Sequence, residues 1–289
     1  MAEMTDMREL RFTKGHGTEN DFVLVADLDG THDVTAQQVR RITDRRAGIG
    51  ADGVIRVVPT ETATEQHVRD QGAQARWFMD YRNADGSVSE TCGNGLRVFA
   101  RYLVDAGLEQ PGQQTIATRG GVVTTWADVD GEVTVDMGPP QILSGATAAI
   151  DGQVFEGVTV SMGNPHLVCV TDTEVATLDL TAMPRVDQLA FALGVNVEFV
   201  NIVGERHAVM RVYERGIGET QSCGSGACAV VAAMAALEGT TTSDYIVDVP
   251  GGRLTIRFDD AGHLLLRGPA VLVAEGQWRA HQGGGQWPR

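Results

Sequence analysis

Two cysteines in this chain stand at the head of the same short pattern. Cys92-Gly93-Asn94-Gly95 and Cys223-Gly224-Ser225-Gly226 each close a polar turn and open a run with helical spacing. A thiol placed there lies beside permissive glycine backbone and beside the free N–H groups of a helix start, which suit an anion. If the two copies face each other, one thiolate can take a proton from a carbon while the other thiol returns one to the opposite face. That inverts the carbon, as a racemase or epimerase does, and it needs a thiolate and a thiol that exchange roles. A free thiol is only a few per cent ionised near pH 7. A helix N-terminus favours the anion by about 0.3–1 kcal/mol, which is about 0.2–0.7 of a pKa unit. Position alone therefore does not make a strong base, and His166 and Glu214 are the candidate helpers near the thiols. The carbanion needs support too, because a proton next to a carboxylate is weakly acidic. Two converging sets of backbone N–H groups, in a cleft that closes and excludes water, would provide it.

The thiols are equivalent because the chain repeats. SMGNPHLVCV (161–170) matches the turn and strand around Gly17 to Val25, and LGVNVEFVNIV (193–203) matches the run from Ile49 to Val58. MRVYERG leads to Cys223 as WFMDYRN leads to Cys92; VPGGRLTIRF echoes TRGGVVTTWA, and LLLRGPA echoes VDMGPPQ. Asn20 and Asn164 are 144 positions apart, as are Gly50 and Gly194, whereas Cys92 and Cys223 are 131 apart, as are Gly120 and Gly251. A single net deletion, opposite the polar stretch 59–74, explains the change. That stretch reads as a surface loop.

The positioning elements follow from pattern. Leu10 to Asp27 reads as strand, turn and strand, punctuated by Gly15 and Gly17. Thr35 is placed to cap a helix reaching Asp44. Leu96, Phe99, Tyr102, Leu103 and Ala106 recur at helical spacing, with Gly107 where a C-terminal cap belongs. Thr115 to Gly138 gives two or three strands with turns at Gly120-Gly121 and Asp130-Gly131. The run Ala227 to Leu237 is apolar on nearly every face, the pattern of a helix buried all round. The expected architecture is α/β of the α+β type: two pseudo-symmetric domains, each a curved, mainly antiparallel β-sheet or barrel wrapped around a central helix. The N-terminal half is 1–138, with a last strand near 270–276 returning to it. The C-terminal half is 139–269, and 277–289 reads as a mobile tail.

Composition narrows the function. A chain of 289 residues and net charge −15 does not offer the basic surface that nucleic acid or an anionic membrane requires. Lys14 is the only lysine beside 22 arginines, which argues against pyridoxal phosphate and its Schiff-base lysine. The N-terminus lacks signal-peptide shape, and the apolar run at 227–237 is too short to span a bilayer. Four cysteines without Cys-x-x-Cys spacing point to reduced thiols in the cytoplasm rather than to a zinc or redox site. GIGADG (48–53) lacks the lysine of a phosphate-binding loop. Cys169, in a strand, and Cys228, inside the apolar helix, read as core. His16, His32, His67, His207, His263 and His281 show no ligand spacing and read as solvated.

The motifs GHGTENDF, NADGS, CGNG, MGNPH, GVNVEF, YERGIGET and CGSG, in this order from about Lys14 to Val273, resemble those of the diaminopimelate epimerase family. The resemblance implies a cofactor-independent two-base conversion of LL- to meso-diaminopimelate, in lysine and peptidoglycan precursor biosynthesis, by a cytoplasmic homodimer. It implies that Cys223 accepts the proton of the LL isomer and that Cys92 donates one. It implies substrate contacts from Asn20, Asn83, Gly93, Asn94, Asn164, Asn196, Glu214, Arg215, Gly224 and Ser225, and no metal. The chain departs from the family where many members carry a glutamine after the aspartate of the GxGxDQ segment, because here Gly53 follows Asp52. A proline racemase-like or other amino acid isomerase is the alternative on the same scaffold. Glu214-Arg215 and the asparagines favour a long, doubly charged substrate over proline. A non-catalytic amino acid binding protein is a different class, and the presence of both cysteines argues against it.

Overall fold

The structure, a computed structural model, describes residues 10–187, 189–241 and 243–279. Its strands form two copies of one pairing scheme. In the first copy, Leu10–Gly17, Asn20–Ala26, Gly53–Pro59, Trp77–Asn83, Gly112–Thr118, Gly121–Ala127 and Glu132–Asp136 pair in succession. In the second, Gln153–Ser161, Pro165–Val170, Asn196–Gly204, His207–Glu214, Tyr245–Val249, Gly252–Phe258 and Leu264–Pro269 do the same. Both copies run antiparallel, parallel, antiparallel, parallel, antiparallel, antiparallel, so the repeat read from sequence is a repeat of topology.

Two reciprocal strands tie the copies together. After Glu132–Asp136 the chain enters Gln141–Ile150, which pairs with Gln153–Ser161 of the second copy. After Leu264–Pro269 it enters Val271–Trp278, which pairs with Leu10–Gly17 of the first. Glu132–Asp136 and Leu264–Pro269 pair directly, joining everything into one sheet. Gln277 and Trp278 therefore belong to a strand, Arg279 follows it, and the remaining residues of the expected tail, 280–289, lie outside the described residues.

The helices are α1 (Ala36–Thr43), α2 (Gln66–Arg69), α3 (Gly93–Asp105) and α4 (Gly224–Glu238). Parallel neighbours need a crossover connection, and α3 and α4 supply it after Trp77–Asn83 and His207–Glu214. Each thiol turn thus sits where a strand end feeds a crossover helix. α3 buries Leu96, Val98, Phe99, Ala100 and Leu103 against the first sheet. Every residue of α4 from Gly226 to Ala235 is buried, because the second sheet encloses it. Met137 packs against both cores and marks their seam. Thr35 caps α1 in a reciprocal capping box with Gln38, and α4 ends at Gly239 in the left-handed region.

The stretch 59–74 is not an open loop. It holds a short 3-10 turn, Thr60–Thr62, and α2, and it buries Ala63 and Val68 with Phe78 and Ala117. A few apolar residues among many polar ones suffice to dock a short helix, and they carry too little periodicity to be read as one. Among the described residues, no helix is long and apolar enough to cross a membrane.

Candidate active site

Cys92 and Cys223 are the N-caps of α3 and α4. Both have extended backbone, with φ −150° and −123°. Each sulfur accepts a backbone N–H three residues on, Gly95 N to Cys92 Sγ and Gly226 N to Cys223 Sγ, both at 3.4 Å. Serine or threonine usually plays this capping part; here a thiol does, at an end that favours negative charge. The helix starts abut, since a Cβ on Gly224 would lie 3.2 Å from Asn94 Oδ1. A Cβ on Gly226 would lie 2.7 Å from Glu198 Oε1, so that position admits only glycine without displacement.

Both thiols line one cleft of about 590 Å³. The structure brings Asn20, Asn83, Gly93, Asn94, Asn164, Asn196, Glu214, Arg215, Gly224 and Ser225 around it with them. Asn20 Nδ2 donates to Asp52 Oδ2 at 2.7 Å, and its Oδ1 faces Cys92 Sγ at 3.9 Å. Asn94 Nδ2 donates to Ser222 O at 3.0 Å and to Asn20 Oδ1 at 3.2 Å, linking the two halves. Asn196 Oδ1 accepts the Arg215 backbone N–H at 3.0 Å, and Ser225 Oγ stands 3.5 Å from Cys223 Sγ. Glu214 accepts from the Thr220 hydroxyl. Lys14 is not on this wall; it pairs with Asp21 at 2.6 Å and donates to the Gly50 carbonyl. It lines a neighbouring depression of about 680 Å³ with Arg45 and Asp52, which contains no thiol.

His166 does not reach the cleft wall. It is fully buried behind Asn164, whose Oδ1 lies 3.1 Å from Nε2, and its Nδ1 meets Glu198 Oε1 at 2.7 Å. Glu198, also fully buried, has no partner on Oε2. It is the acidic residue that motif reading passed over: VEF looks like any strand, and only the pairing of Asn196–Gly204 beside Pro165–Val170 sets it against His166. Tyr81 and Ser222 were passed over as well. A Cβ on Gly53 would meet the Tyr81 ring at 2.5 Å, so this ring occupies the space a larger residue at 53 would need. Of the histidines expected to be solvated, His207 pairs with Asp248 at 2.8 Å and His263 with Asp136 at 3.0 Å, whereas His281 lies outside the described residues. All four cysteines are free thiols.

The electrostatics hold the thiols neutral. Burial pushes Cys92 up to about 11, against the backbone N–H of Gly95 and the Arg97 charge, which act the other way. Burial, then the negative charges of Glu214 and Glu198, push Cys223 well above the usual thiol range. Burial also raises Glu214, opposed by the Thr220 hydroxyl. The helix contribution of well under one unit is therefore outweighed by desolvation.

Comparison with known proteins agrees with this geometry. The diaminopimelate epimerase family model matches residues 12–143 and 158–273. A protein of Acidothermus cellulolyticus named diaminopimelate epimerase is 49% identical, covering 94% of this chain and 96% of its own length. Its counterpart in Thermobifida fusca is 48% identical over 93% of this chain and 98% of its own. A phenazine biosynthesis protein of the PhzF family from Bacillus anthracis superposes with a TM-score of 0.68 at 17% identity, over 95% of this chain and 100% of that one, which shows a shared fold. With a doubled sheet, two capping thiols on one cleft, and a family match that spans both halves, the chain belongs to the diaminopimelate epimerase family.

Proposed function

We propose that this enzyme interconverts LL- and meso-diaminopimelate without a cofactor, with Cys92 and Cys223 as its two bases. The carrying observation is that both thiols cap helices that open onto one cleft. In the LL-to-meso direction the Cys223 thiolate takes the α-proton: the C–H bond breaks, an S–H bond forms, and the electron pair delocalises into the carboxylate. The Cys92 thiol then gives its proton to the opposite face, leaving a Cys92 thiolate poised for the reverse reaction. Backbone N–H groups at the starts of α3 and α4 hold the reacting carboxylate. With both thiols held neutral by burial, the substrate's α-ammonium supplies the positive charge that makes a thiolate accessible.

The distal amino acid end is read by Asn20, Asn83, Asn164, Asn196 and Arg215, and Glu214 takes an ammonium. His166 acts from behind Asn164 rather than on a thiol directly. We take 1–138 and 139–269 as the two catalytic halves, with the strand at 271–278 returning to the first. Their closure on substrate excludes water, and two chains pair as a homodimer in the cytoplasm. Light scattering on the eluted protein checks the last point: a mass twice 30.9 kDa is expected.

The test is incubation of the reduced protein with LL-diaminopimelate in deuterated water. Meso isomer carrying deuterium at one α-carbon is expected. A folded, reduced protein that neither exchanges nor inverts that carbon contradicts the proposal, and turnover of proline instead supports the racemase alternative.

A further inference from the structure

The largest fully buried side chain among the described residues is a cation outside the set already assigned. Arg97 lies on α3, one turn beyond Cys92, with no solvent exposure. Its Nη2 donates to Thr18 Oγ1 at 3.1 Å, and its Nε donates to the Pro269 carbonyl at 3.4 Å. Nη1 has no protein partner, and no carboxylate of the described residues forms an ion pair with the guanidinium. The backbone at Gly17 is cut away to admit it: a Cβ there would lie 2.9 Å from Nη2. Burying a charge without a counter-ion is among the costliest arrangements a fold can hold. A fold that merely needed volume here would fill the site with an apolar residue.

The cation stands behind the reacting groups. Thr18 Oγ1 is 2.6 Å from Ser222 Oγ, and Ser222 precedes Cys223. Asn94, which follows the first thiol, donates to the same Ser222. The titratable groups facing Arg97 are Cys92, Cys228 and Glu132. Burial lowers the guanidinium to about 10, which leaves it charged at neutral pH.

We propose that Arg97 supports the reaction electrostatically: its unpaired guanidinium stabilises negative charge as that charge passes between the two thiols and the substrate carboxylate. It touches none of them and acts through the space behind the α3 N-terminus and the Thr18–Ser222–Asn94 contacts. A field fixed in a low-dielectric core needs no reorganisation during the reaction. The proposal rests on the two-thiol reading above. Its failure is separable from that of the reading, because the ionisation of Cys92 can be measured without turnover.

The experiment compares Arg97→Met with Arg97→Lys, reading kcat, KM and the pH dependence of Cys92 alkylation by iodoacetamide, located by peptide mass mapping. Arg97→Met is expected to lower kcat by about 10- to 100-fold, to change KM by less than about threefold, and to move Cys92 alkylation to higher pH. Arg97→Lys, which keeps the charge, is expected to recover most of both. A folded Arg97→Met protein with an unchanged Cys92 profile, or a lysine variant no better than methionine, overturns the proposal. If methionine prevents folding, Thr18→Asp against Thr18→Asn carries the test. Thr18 has φ +50°, which both residues tolerate, and only aspartate neutralises the guanidinium. Lost turnover and a raised Cys92 profile in Thr18→Asp alone support the proposal, and equal behaviour of the two overturns it.

Discussion

The free enzyme should hold its first thiol protonated across the physiological range. Burial raises Cys92 from 9.0 to about 11. Two units correspond to a hundredfold smaller thiolate fraction at any pH well below both values, so at pH 7 roughly one Cys92 in ten thousand is ionised. The α3 N-terminus offsets only about 0.2–0.7 of a unit. Because Cys92 keeps some exposure to the cleft, the hundredfold figure is the upper bound of the effect. The perturbation is pH, and the assay is the rate of iodoacetamide alkylation at Cys92, compared with the same peptide in the urea-unfolded chain. Between about pH 6 and about pH 10 the folded rate should climb close to tenfold per pH unit without levelling, and it should stay at least tenfold below the unfolded rate at pH 8. A plateau beginning near pH 7 would mean a resident thiolate and would refute the argument that desolvation outweighs the helix.

Three further outcomes follow from the same geometry. Gly226→Ala should keep the fold, since alanine favours a helix. Its Cβ, 2.7 Å from Glu198 Oε1 and 3.3 Å from Cys223 Sγ, should nevertheless lower kcat by about tenfold or more; a fully active variant counts against this packing. Glu198→Ala leaves His166 Nδ1 without its 2.7 Å partner in a closed core and should cost about 3 kcal/mol in urea unfolding. A loss below about 1 kcal/mol would contradict the buried pair. Thr35→Ala removes the α1 capping box and should cost about 1 kcal/mol while leaving turnover unchanged, so altered kinetics would show that α1 is coupled to the site.

The doubled sheet was legible because the repeat is written in spaced motifs, and the offsets between Asn20 and Asn164 and between Cys92 and Cys223 survive one deletion. α4 was legible because a helix with no polar face has only one place to go. The thiols could be placed because a Cys-Gly-x-Gly at a strand end is short-range information. What escaped depends on contacts between distant strands. Glu198 meets His166 only through the parallel register of their strands. Tyr81 fills the room over Gly53 because antiparallel neighbours share a face. Arg97 looks like an ordinary arginine of an amphipathic helix, and its burial is set by Thr18 and Pro269, 79 and 172 positions away. The stretch 59–74 misled for the opposite reason: its polar majority hid Ala63 and Val68, which dock it.

The central claim is that the two capping thiols are the two bases, and single replacements test it most directly. Cys92→Ser and Cys223→Ser, each shown to be folded, are to be assayed with LL-diaminopimelate in deuterated water for inversion to the meso isomer. Loss of inversion in both variants, with the native protein active alongside, is the predicted result. Inversion at the native rate in either one would contradict it.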